Sequence, residues 1–212
     1  MSSMLPAAAV VLPLVSGWSV HSVWMRRRLD AARRDPLTGL HTRAGFERAA
    51  AGLLRRCPAA VVVVDLDGFK QINDSYGHAA GDEAIRMAGA SLNEVVDGRG
   101  VVGRLGGDEF AAVVPLPDPV ALPWLLGGLY GCLTAPFGYE GRTLAVGASV
   151  GGVYAPAGTP LPVALRRADE VMYGAKQSGG GPRVADGLTS ACRTVLGRRE
   201  GRAGTGLDGG VS

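Results

Sequence analysis

The chain has 212 residues, of which 47% are hydrophobic, so it can form one ordinary domain with a real core and short appendages. The formal net charge of +3 comes from arginines that cluster before residue 35 and in the last twenty residues, whereas the central part is mildly acidic. These arginines form no stripe interleaved with aromatic side chains, which argues against a nucleic-acid-binding surface. The three cysteines show no metal-ligand spacing and suit a reducing compartment better than a disulfide scaffold.

Residues 5–24 contain no Asp, Glu, Lys or Arg, and Met25 and three arginines follow them. This length is sufficient to span a bilayer, and the arginines would then stay on the cytoplasmic side with the rest of the chain. Two prolines, a glycine, a histidine and three serines lower the hydrophobicity, so a membrane-associated or dimerising soluble helix is the alternative. The basic cluster follows the apolar stretch, which argues against a cleaved signal peptide. We therefore expect an anchor in the cell membrane, with a cytoplasmic protein as the alternative.

The hydrophobic periodicity after residue 35 predicts helices and strands in mixed order. Helices are expected over residues 43–55, near Lys70, and over residues 82–96, 120–133 and 161–177. Strands are expected from residue 59, on both sides of a Gly-Gly pair, and over residues 138–139 and 142–154. Mixed order with hairpins predicts an antiparallel-rich α+β sandwich. The glycine- and arginine-rich residues after about 187 are expected to be disordered.

Two glycines followed by two acids, Gly106 to Glu109, separate the strand-like flanks of the predicted hairpin. A Gly-Gly pair favours a two-residue turn, and glycines let a backbone approach a ligand closely. The pattern is typical of a tip that holds phosphate and metal, and the alternative is an ordinary turn followed by solvated acids.

A second acidic group ends the apolar run of residues 59–64, where Asp65, Leu66 and Asp67 follow a strand expected to be buried on both faces. Mg²⁺ is usually held by one or two carboxylates together with substrate phosphates, and Asp65 and Asp108 fit that requirement. Asp67 has an alternative role as an N-cap or turn acid that accepts hydrogen bonds from backbone N–H groups.

Four motifs occur together in a recognisable order between about Asp35 and Val184. They are Asp35-Pro36-Leu37-Thr38-Gly39-Leu40, Asp65-Leu66-Asp67-Gly68-Phe69-Lys70-Gln71-Ile72-Asn73-Asp74, Gly77-His78-Ala79-Ala80-Gly81-Asp82 and Gly106-Gly107-Asp108-Glu109-Phe110. Together they resemble the GGDEF-domain diguanylate cyclases. The combination is far more specific than any one of the motifs.

The resemblance implies a ferredoxin-like palm, shared with nucleotide cyclases and polymerases, in which helices flank a central, mostly antiparallel sheet. This domain would occupy residues 35–186, between a hydrophobic segment and basic linker at residues 1–34 and a tail at residues 187–212. Such enzymes condense two GTP molecules into cyclic di-GMP and two pyrophosphates, as each 3′-hydroxyl attacks the α-phosphorus of the other nucleotide. Each protomer holds one GTP, so the complete site forms only in an antiparallel homodimer.

The resemblance also implies the roles of individual residues. Asp108 and Glu109 would be catalytic, and Asp65, Asp108 and the carbonyl of Leu66 would hold the metal, with two Mg²⁺ ions per GTP site expected and Mn²⁺ as a substitute. The substrate-binding residues would be Lys70, Asn73, Asp82, Gly106, Gly107 and Lys176. Each has a plainer alternative: Asp82 as the N-cap of the predicted helix, and Lys70 and Lys176 as solvated surface lysines. Arg104 lies at the position before the hairpin from which a side chain of family members often reaches across the dimer. The alternative interpretation of Arg104 is a strand-edge surface arginine.

Three positions depart from the family pattern. Gly180 occupies the place of a phosphate-binding arginine, a loss that could weaken GTP binding by about 1.5 to 3 kcal/mol unless Arg183 reaches the same phosphates. Thr42 replaces an asparagine before Arg43, a change we expect to be mild. The window of the product-inhibition motif, residues 97–100, lacks both required residues, so feedback through that site should be absent, and Arg99 is expected to be an ordinary turn residue.

Two other functions remain open on the sequence. The departure at Gly180 favours a non-catalytic GTP-binding or partner-binding module. A cyclase of different nucleotide specificity is the third candidate, against which Asn73 and Asp82 argue because their side chains complement the guanine edge.

Overall fold

The computed structural model describes residues 34–185. Within that range the helices are α1 (Arg43–Leu54), α2 (Phe69–Tyr76), α3 (His78–Val96), α4 (Leu122–Leu133) and α5 (Leu161–Gln177), and a short 3-10 helix at Pro119–Ala121 precedes α4. The strands are β1 (His41–Thr42), β2 (Ala59–Asp67), β3 (Val101–Gly106), β4 (Glu109–Pro115), β5 (Phe137–Tyr139), β6 (Arg142–Leu144), β7 (Gly147–Ala155) and β8 (Gly181–Val184).

Six of these strands form one sheet in the order β1-β3-β4-β2-β7-β8. The central strand β2 is antiparallel to both β4 and β7, and β3 is antiparallel to β4. Only the outer pairs β1–β3 and β7–β8 of this sheet are parallel. The predicted α+β fold with a mostly antiparallel central sheet is therefore confirmed.

Strand β2 is apolar on both faces because helices cover the sheet on both sides. Val62 and Val64 pack into a core with α2, α3 and α4, whereas Val61 and Val63 pack into a second core with α1 and α5. All four valines are at most 4% exposed. A strand covered on both faces has no polar alternation, which is why the apolar run predicted it correctly.

Helix α3 begins at His78 instead of at the predicted Asp82. Gly77 has a φ of +84°, and its carbonyl accepts hydrogen bonds from the N–H groups of Ala80 and Gly81, which starts the helix one turn earlier. Asp82 therefore lies inside α3, and its interpretation as the N-cap is wrong.

The strand predicted over residues 142–154 is two strands that belong to different sheets. β6 pairs with β5 in a separate two-stranded sheet, and β7 joins the central sheet after a break at Ala145 and Val146. The sequence pattern predicts neither β1 nor β8, since strands this short leave no readable alternation.

No helix within residues 34–185 is both long and apolar enough to cross a membrane. The segment 5–24, where an anchor was expected, and the tail after residue 187 lie outside the described residues.

Candidate functional site

The strand register brings two of the predicted metal ligands to one end of the sheet. Asp65 is paired with Glu109 in the β2–β4 ladder, and the N–H of Leu66 donates to the carbonyl of Asp108 over 3.3 Å. Asp65 is buried, with 7% of its surface exposed, whereas Asp108 and Glu109 are partly exposed. The β3–β4 hairpin thus carries its two acids to the strand end where Asp65 lies.

Lys176, in the last turn of α5, contacts this acidic group directly. Its Nζ donates to Oδ1 of Asp65 over 2.6 Å. That hydrogen bond raises the pKa of Lys176 against the opposing effect of burial, and the charges of Asp65, Asp108 and Asp67 raise it further. The ammonium therefore sits among three carboxylates and stays protonated.

Asp67 is bound by a side chain of the neighbouring strand. The hydroxyl of Ser149, which is fully buried, donates to the two carboxylate oxygens of Asp67 at 2.9 and 3.0 Å. The helix that follows, α2, has Gly68 as its N-cap residue and no side-chain cap. The interpretation of Asp67 as an N-cap is therefore wrong, and its carboxylate is oriented by β7.

The turn between α5 and β8 packs closely against the same carboxylate. Gly179, Gly180 and Gly181 all have φ values between +91° and +98°, which side chains rarely adopt. A Cβ on Gly180 would lie 2.6 Å from Oδ2 of Asp67. The position where the family pattern has an arginine therefore favours glycine here, by backbone conformation and by contact.

Arg183 does not take the place of that arginine. Its Nη2 donates to Oγ of Ser178 over 3.1 Å, and its Nη1 would lie 2.9 Å from a Cβ on Gly174. Gly174 and Ser178 are four residues apart and share one face of α5, whereas Lys176 is about 200° around the helix from both. Arg183 thus lies over the face of α5 that points away from Asp65.

The tip of the β3–β4 hairpin is held by Arg104. Its Nε and Nη2 donate to the carbonyl of Gly107 at 2.9 and 2.8 Å, and its Nη1 donates to both oxygens of Asp35 at 3.2 Å. Gly107 has a φ of +50°, a conformation that favours glycine. Arg104 is therefore bound within its own chain and is not a free surface arginine.

Asp35 completes this network at the beginning of the described chain. Its Oδ1 accepts hydrogen bonds from the N–H of Thr38 at 2.9 Å and from its hydroxyl at 2.8 Å. Burial raises the pKa of Asp35, but the hydrogen bonds from Thr38 and Arg104 and the charge of Arg104 outweigh it, so the net pKa is lowered. The Asp35–Arg104 pair joins the start of the domain to the hairpin tip.

Glu109 is held more loosely. Nη2 of Arg43 lies 3.8 Å from Oε2 of Glu109, and their side chains are 57% and 47% exposed. Such a pair contributes little stability, because solvent screens it. Nε of Arg43 also donates to the carbonyl of Leu105 over 3.2 Å, so Arg43 lies along the base of the hairpin.

The predicted guanine-binding residues lie on two adjacent helices, at the place where α2 packs on α3. A Cβ on Gly81 would lie 2.0 Å from Oδ1 of Asn73, so the Asn73 amide fills the space that this glycine leaves on α3. Asp82 follows directly and is exposed. Lys70 is exposed one helical turn before Asn73, which places both on neighbouring parts of the α2 surface.

Residues 97–100 form the turn between α3 and β3. Asp97 ends α3 with a φ of +48°, and Arg99 is exposed in the turn that follows, as expected.

The comparison with known proteins agrees with this arrangement. Residues 32–182 match the profile of the family described as "Diguanylate cyclase, GGDEF domain". The chain belongs to the GGDEF family. This GGDEF domain is 47% identical over 173 residues to an uncharacterised 19.3 kDa protein in the repSA 5′ region of Streptomyces ambofaciens, a match that covers 80% of this chain and 91% of that protein.

The diguanylate cyclase DgcP of Pseudomonas aeruginosa is 33% identical over 154 residues, which are 70% of this chain and 23% of DgcP. Among solved structures, a sensory box/GGDEF family protein from Caulobacter crescentus CB15 superposes with a TM-score of 0.64 at 35% identity, covering 69% of this chain and 99% of that one. The palm fold that the motifs implied is thereby confirmed. The GGDEF domain spans less than a quarter of DgcP.

The acidic end of this GGDEF domain fits a divalent cation, although no group of three or more His, Cys, Asp or Glu side chains within residues 34–185 is arranged to hold one. Mg²⁺ usually takes one or two carboxylates and completes its shell with substrate phosphates and water. The ammonium of Lys176 is a cation that already binds Asp65, so this carboxylate can accept a positive charge. Asp65 and Asp108 are therefore the side chains that would hold the metal.

Two features of the site have no reliable signal in the sequence. The bond from Ser149 to Asp67 joins side chains distant in the chain, and the strand alternation of β7 could at most have placed Ser149 on a buried face. The contact of Gly81 with Asn73 depends on the packing of α2 on α3. A glycine inside a helical pattern was the one available hint, since such a glycine often marks a close contact.

Proposed function

We propose that this GGDEF domain is a diguanylate cyclase that condenses two GTP molecules into cyclic di-GMP and two pyrophosphates. The observation that carries the proposal is the convergence of Asp65, Asp108 and Lys176 at one end of the sheet, where β2 and the hairpin lie side by side. Such a group of two carboxylates and one ammonium can hold a metal–triphosphate. The similarity to DgcP supports the same function.

Within this function, Asp65 and Asp108 hold divalent metal, Mg²⁺ or Mn²⁺, together with the Leu66 carbonyl. The bound metal would stabilise charge at the phosphorus and lower the pKa of the attacking 3′-hydroxyl. Glu109 lies beside them, held only by the weak pair with Arg43, and is therefore free to assist coordination or to accept a proton.

The substrate is held by residues on both sides of the metal. Lys70 and Lys176 supply positive charge to the triphosphate, and the exposed Gly106 and Gly107 let the hairpin backbone approach it. Asn73 and Asp82 recognise guanine, since an amide and a carboxylate complement its N1–H and N2 donors and its O6 acceptor. The close packing of Asn73 against Gly81 restricts the amide and thereby favours one base.

Catalysis requires a homodimer, because one site of this kind holds one GTP and the reaction needs two nucleotides facing each other. Turnover per protomer should therefore rise steeply with protein concentration. Since GTP is an intracellular nucleotide, the domain works in the cytoplasm.

The test is mass-resolved product analysis of the full chain with GTP and Mg²⁺ over a range of protein concentrations. We expect cyclic di-GMP from the unmodified chain and a loss of at least about 10³-fold in Asp108→Asn, because removal of a metal-binding charge removes much of the transition-state stabilisation. The matched control is Asp118→Asn, which alters an exposed cap of the 3-10 helix and should leave turnover unchanged. A folded, dimeric protein that leaves GTP intact would overturn the proposal.

A second candidate is a non-catalytic GTP-binding or partner-binding module, and the glycine at position 180 favours it, because the triphosphate loses one cationic contact. Tight binding of GTP without product, unaffected by protein concentration, is the result that this candidate predicts. A product other than cyclic di-GMP would instead indicate a cyclase of different specificity.

A further inference from the structure

We propose that Lys176 is the internal counter-ion of the metal-free site, so that this single side chain couples metal binding to nucleotide binding. This inference rests on the proposed function, since it assigns Asp65 to the metal and Lys176 to the triphosphate. It adds a role that Lys176 has before either ligand is present.

Lys176 and a bound metal would compete for one carboxylate. Nζ of Lys176 lies 2.6 Å from Oδ1 of Asp65, a carboxylate that is only 7% exposed. A divalent cation bound by Asp65 would lie close to that ammonium, and two cations so close repel each other strongly in a partly buried site. Metal binding at Oδ1 therefore displaces the ammonium, and metal binding at the other carboxylate oxygen is still opposed by the nearby positive charge.

The ammonium of Lys176 has two places to go when it leaves Asp65. The side chain of Lys176 is 48% exposed and stands at the end of α5, so it can leave Asp65 without unpacking the core. Without nucleotide it moves into water and its hydrogen bond to Asp65 is lost. With a triphosphate beside the metal, it exchanges a carboxylate partner for a phosphate partner.

The consequence is a positive coupling between the two ligands. Lys176 opposes metal binding to the empty site and no longer opposes it once phosphate accepts the ammonium. By thermodynamic linkage the effect is reciprocal, so the metal also raises the affinity for the nucleotide by releasing Lys176 from Asp65.

This coupling depends on Lys176 alone among the basic residues of α5 and β8 that lie near the turn. Arg183 is bonded to Ser178 on another face of α5, and Gly180 carries no charge. Because the arginine of the family pattern is missing at this turn, Lys176 is the basic residue of α5 and β8 whose position depends on both the metal and the nucleotide.

The test uses the full chain and measures Mn²⁺ affinity without nucleotide, by the electron paramagnetic resonance signal of free Mn²⁺. We expect Lys176→Met to bind Mn²⁺ about three- to tenfold more tightly than the unmodified chain, a modest factor because the lysine is half exposed. In excess Mn²⁺ the same variant should bind a GTP analogue with a methylene α–β bridge about tenfold more weakly. A counter-ion role predicts that the variant binds Mn²⁺ more tightly and the GTP analogue more weakly. If Lys176 had a purely structural role, both affinities would fall.

Two variants serve as controls. Lys176→Arg keeps the cation and should retain a Mn²⁺ affinity near that of the unmodified chain. Arg183→Met removes a charge from the neighbouring strand and should leave both affinities within about twofold, because its partner is Ser178 and not a carboxylate of the site.

Mn²⁺ affinity that is unchanged or weaker in Lys176→Met overturns the inference, as does a lack of Mn²⁺ binding in both proteins. These outcomes are independent of turnover. If the unmodified chain makes no cyclic di-GMP and Lys176→Met nevertheless binds Mn²⁺ more tightly, the proposed function fails while the counter-ion role stands.

Discussion

Two regions of this GGDEF domain face the expected triphosphate, and they differ in how much of the family chemistry they retain. The end of β2 and the β3–β4 hairpin keep the acids of the family, and the strand register brings them together. The turn from α5 to β8 keeps Lys176 but has three consecutive glycines, one of them at the arginine position of the family pattern. In the proposed function the metal-binding acids are thus all present, whereas the triphosphate has one cationic partner fewer.

The packing of the two regions shows that the glycine turn is part of the site. Gly180 approaches Oδ2 of Asp67 so closely that no side chain fits without movement, and Ser149 holds the same carboxylate from β7. The turn thus packs against the acidic region at the position where the family pattern has a charged side chain. The missing arginine at position 180 is therefore accompanied by close packing of the glycine against Asp67.

The largest expected effect comes from restoring the arginine. Gly180→Arg should lower the free energy of unfolding by about 2 to 4 kcal/mol, because a side chain at φ +91° is strained and its Cβ displaces Asp67 from its bonds to Ser149. The matched control is Gly179→Arg, whose φ is +97° but whose Cβ meets no atom within 4 Å. The free energies of unfolding of both variants are measured with denaturant. The loss in Gly179→Arg reports the backbone strain, and the additional loss in Gly180→Arg reports the contact with Asp67.

We expect the control to lose about 1 to 2 kcal/mol, the cost of strain alone. Equal stability of the two variants, together with tighter GTP binding by Gly180→Arg, would show that the turn tolerates the arginine and that the family contact can simply be restored.

On the guanine side, Gly81→Ala should weaken GTP binding by about tenfold, since its Cβ would lie 2.0 Å from Oδ1 of Asn73 and displace the amide. Gly128→Ala is the matched control, because Gly128 is also inside a helix and its Cβ meets no atom within 4 Å. The control should leave GTP affinity unchanged and stabilise the protein by about 0.5 to 1 kcal/mol. The affinities are measured by titration with a GTP analogue. Equal affinities of Gly81→Ala and the unmodified chain would mean that Asn73 does not recognise the base.

A smaller effect is expected where the domain begins. Asp35→Asn should reduce stability by about 1 kcal/mol at neutral pH, because it weakens the hydrogen bonds with Thr38 and Arg104. The pKa of Asp35 is lowered in the folded protein, so its stabilisation is present above the ordinary value of 3.8 and is lost as the pH falls through the lower folded value.

Unfolding curves between neutral and strongly acid pH measure this difference. The gap between the unmodified chain and Asp35→Asn should stay constant down to about pH 5 and close below the ordinary pKa of aspartate. The double variant Asp35→Asn with Arg104→Met should lose less free energy of unfolding than the two single variants lose together, because each single change breaks the same contact. Strict additivity would contradict the network.

The smallest expected effect is that of Arg183→Met on GTP affinity, a change of at most about twofold, because the arginine contacts Ser178 and the helix surface at Gly174. Isothermal titration with the GTP analogue measures it. A tenfold loss would show that Arg183 turns toward the phosphates when nucleotide binds, and the triphosphate would then regain its missing cationic partner.

Much of the architecture could be read from local patterns. The valine run of β2, the Gly-Gly hairpin and the apolar face of α5 each predicted an element that the structure contains. The start of α3 could not be read, because it depends on the φ of Gly77 and not on the periodicity that begins later. The break at Ala145 was also hidden, since residues 144–148 form one apolar stretch across it and the two strands separate only through their different partners.

The sequence by itself determined the family and the residue types of the site, because four motifs in order specify chemistry that composition alone does not. The tertiary structure decided which of those residues meet. The partners of Asp65, Asp67 and Asp35 are Lys176, Ser149 and Arg104, each distant in the chain. A hydrogen bond requires donor and acceptor within about 3 Å, and only the strand register and helix packing set such distances between remote residues.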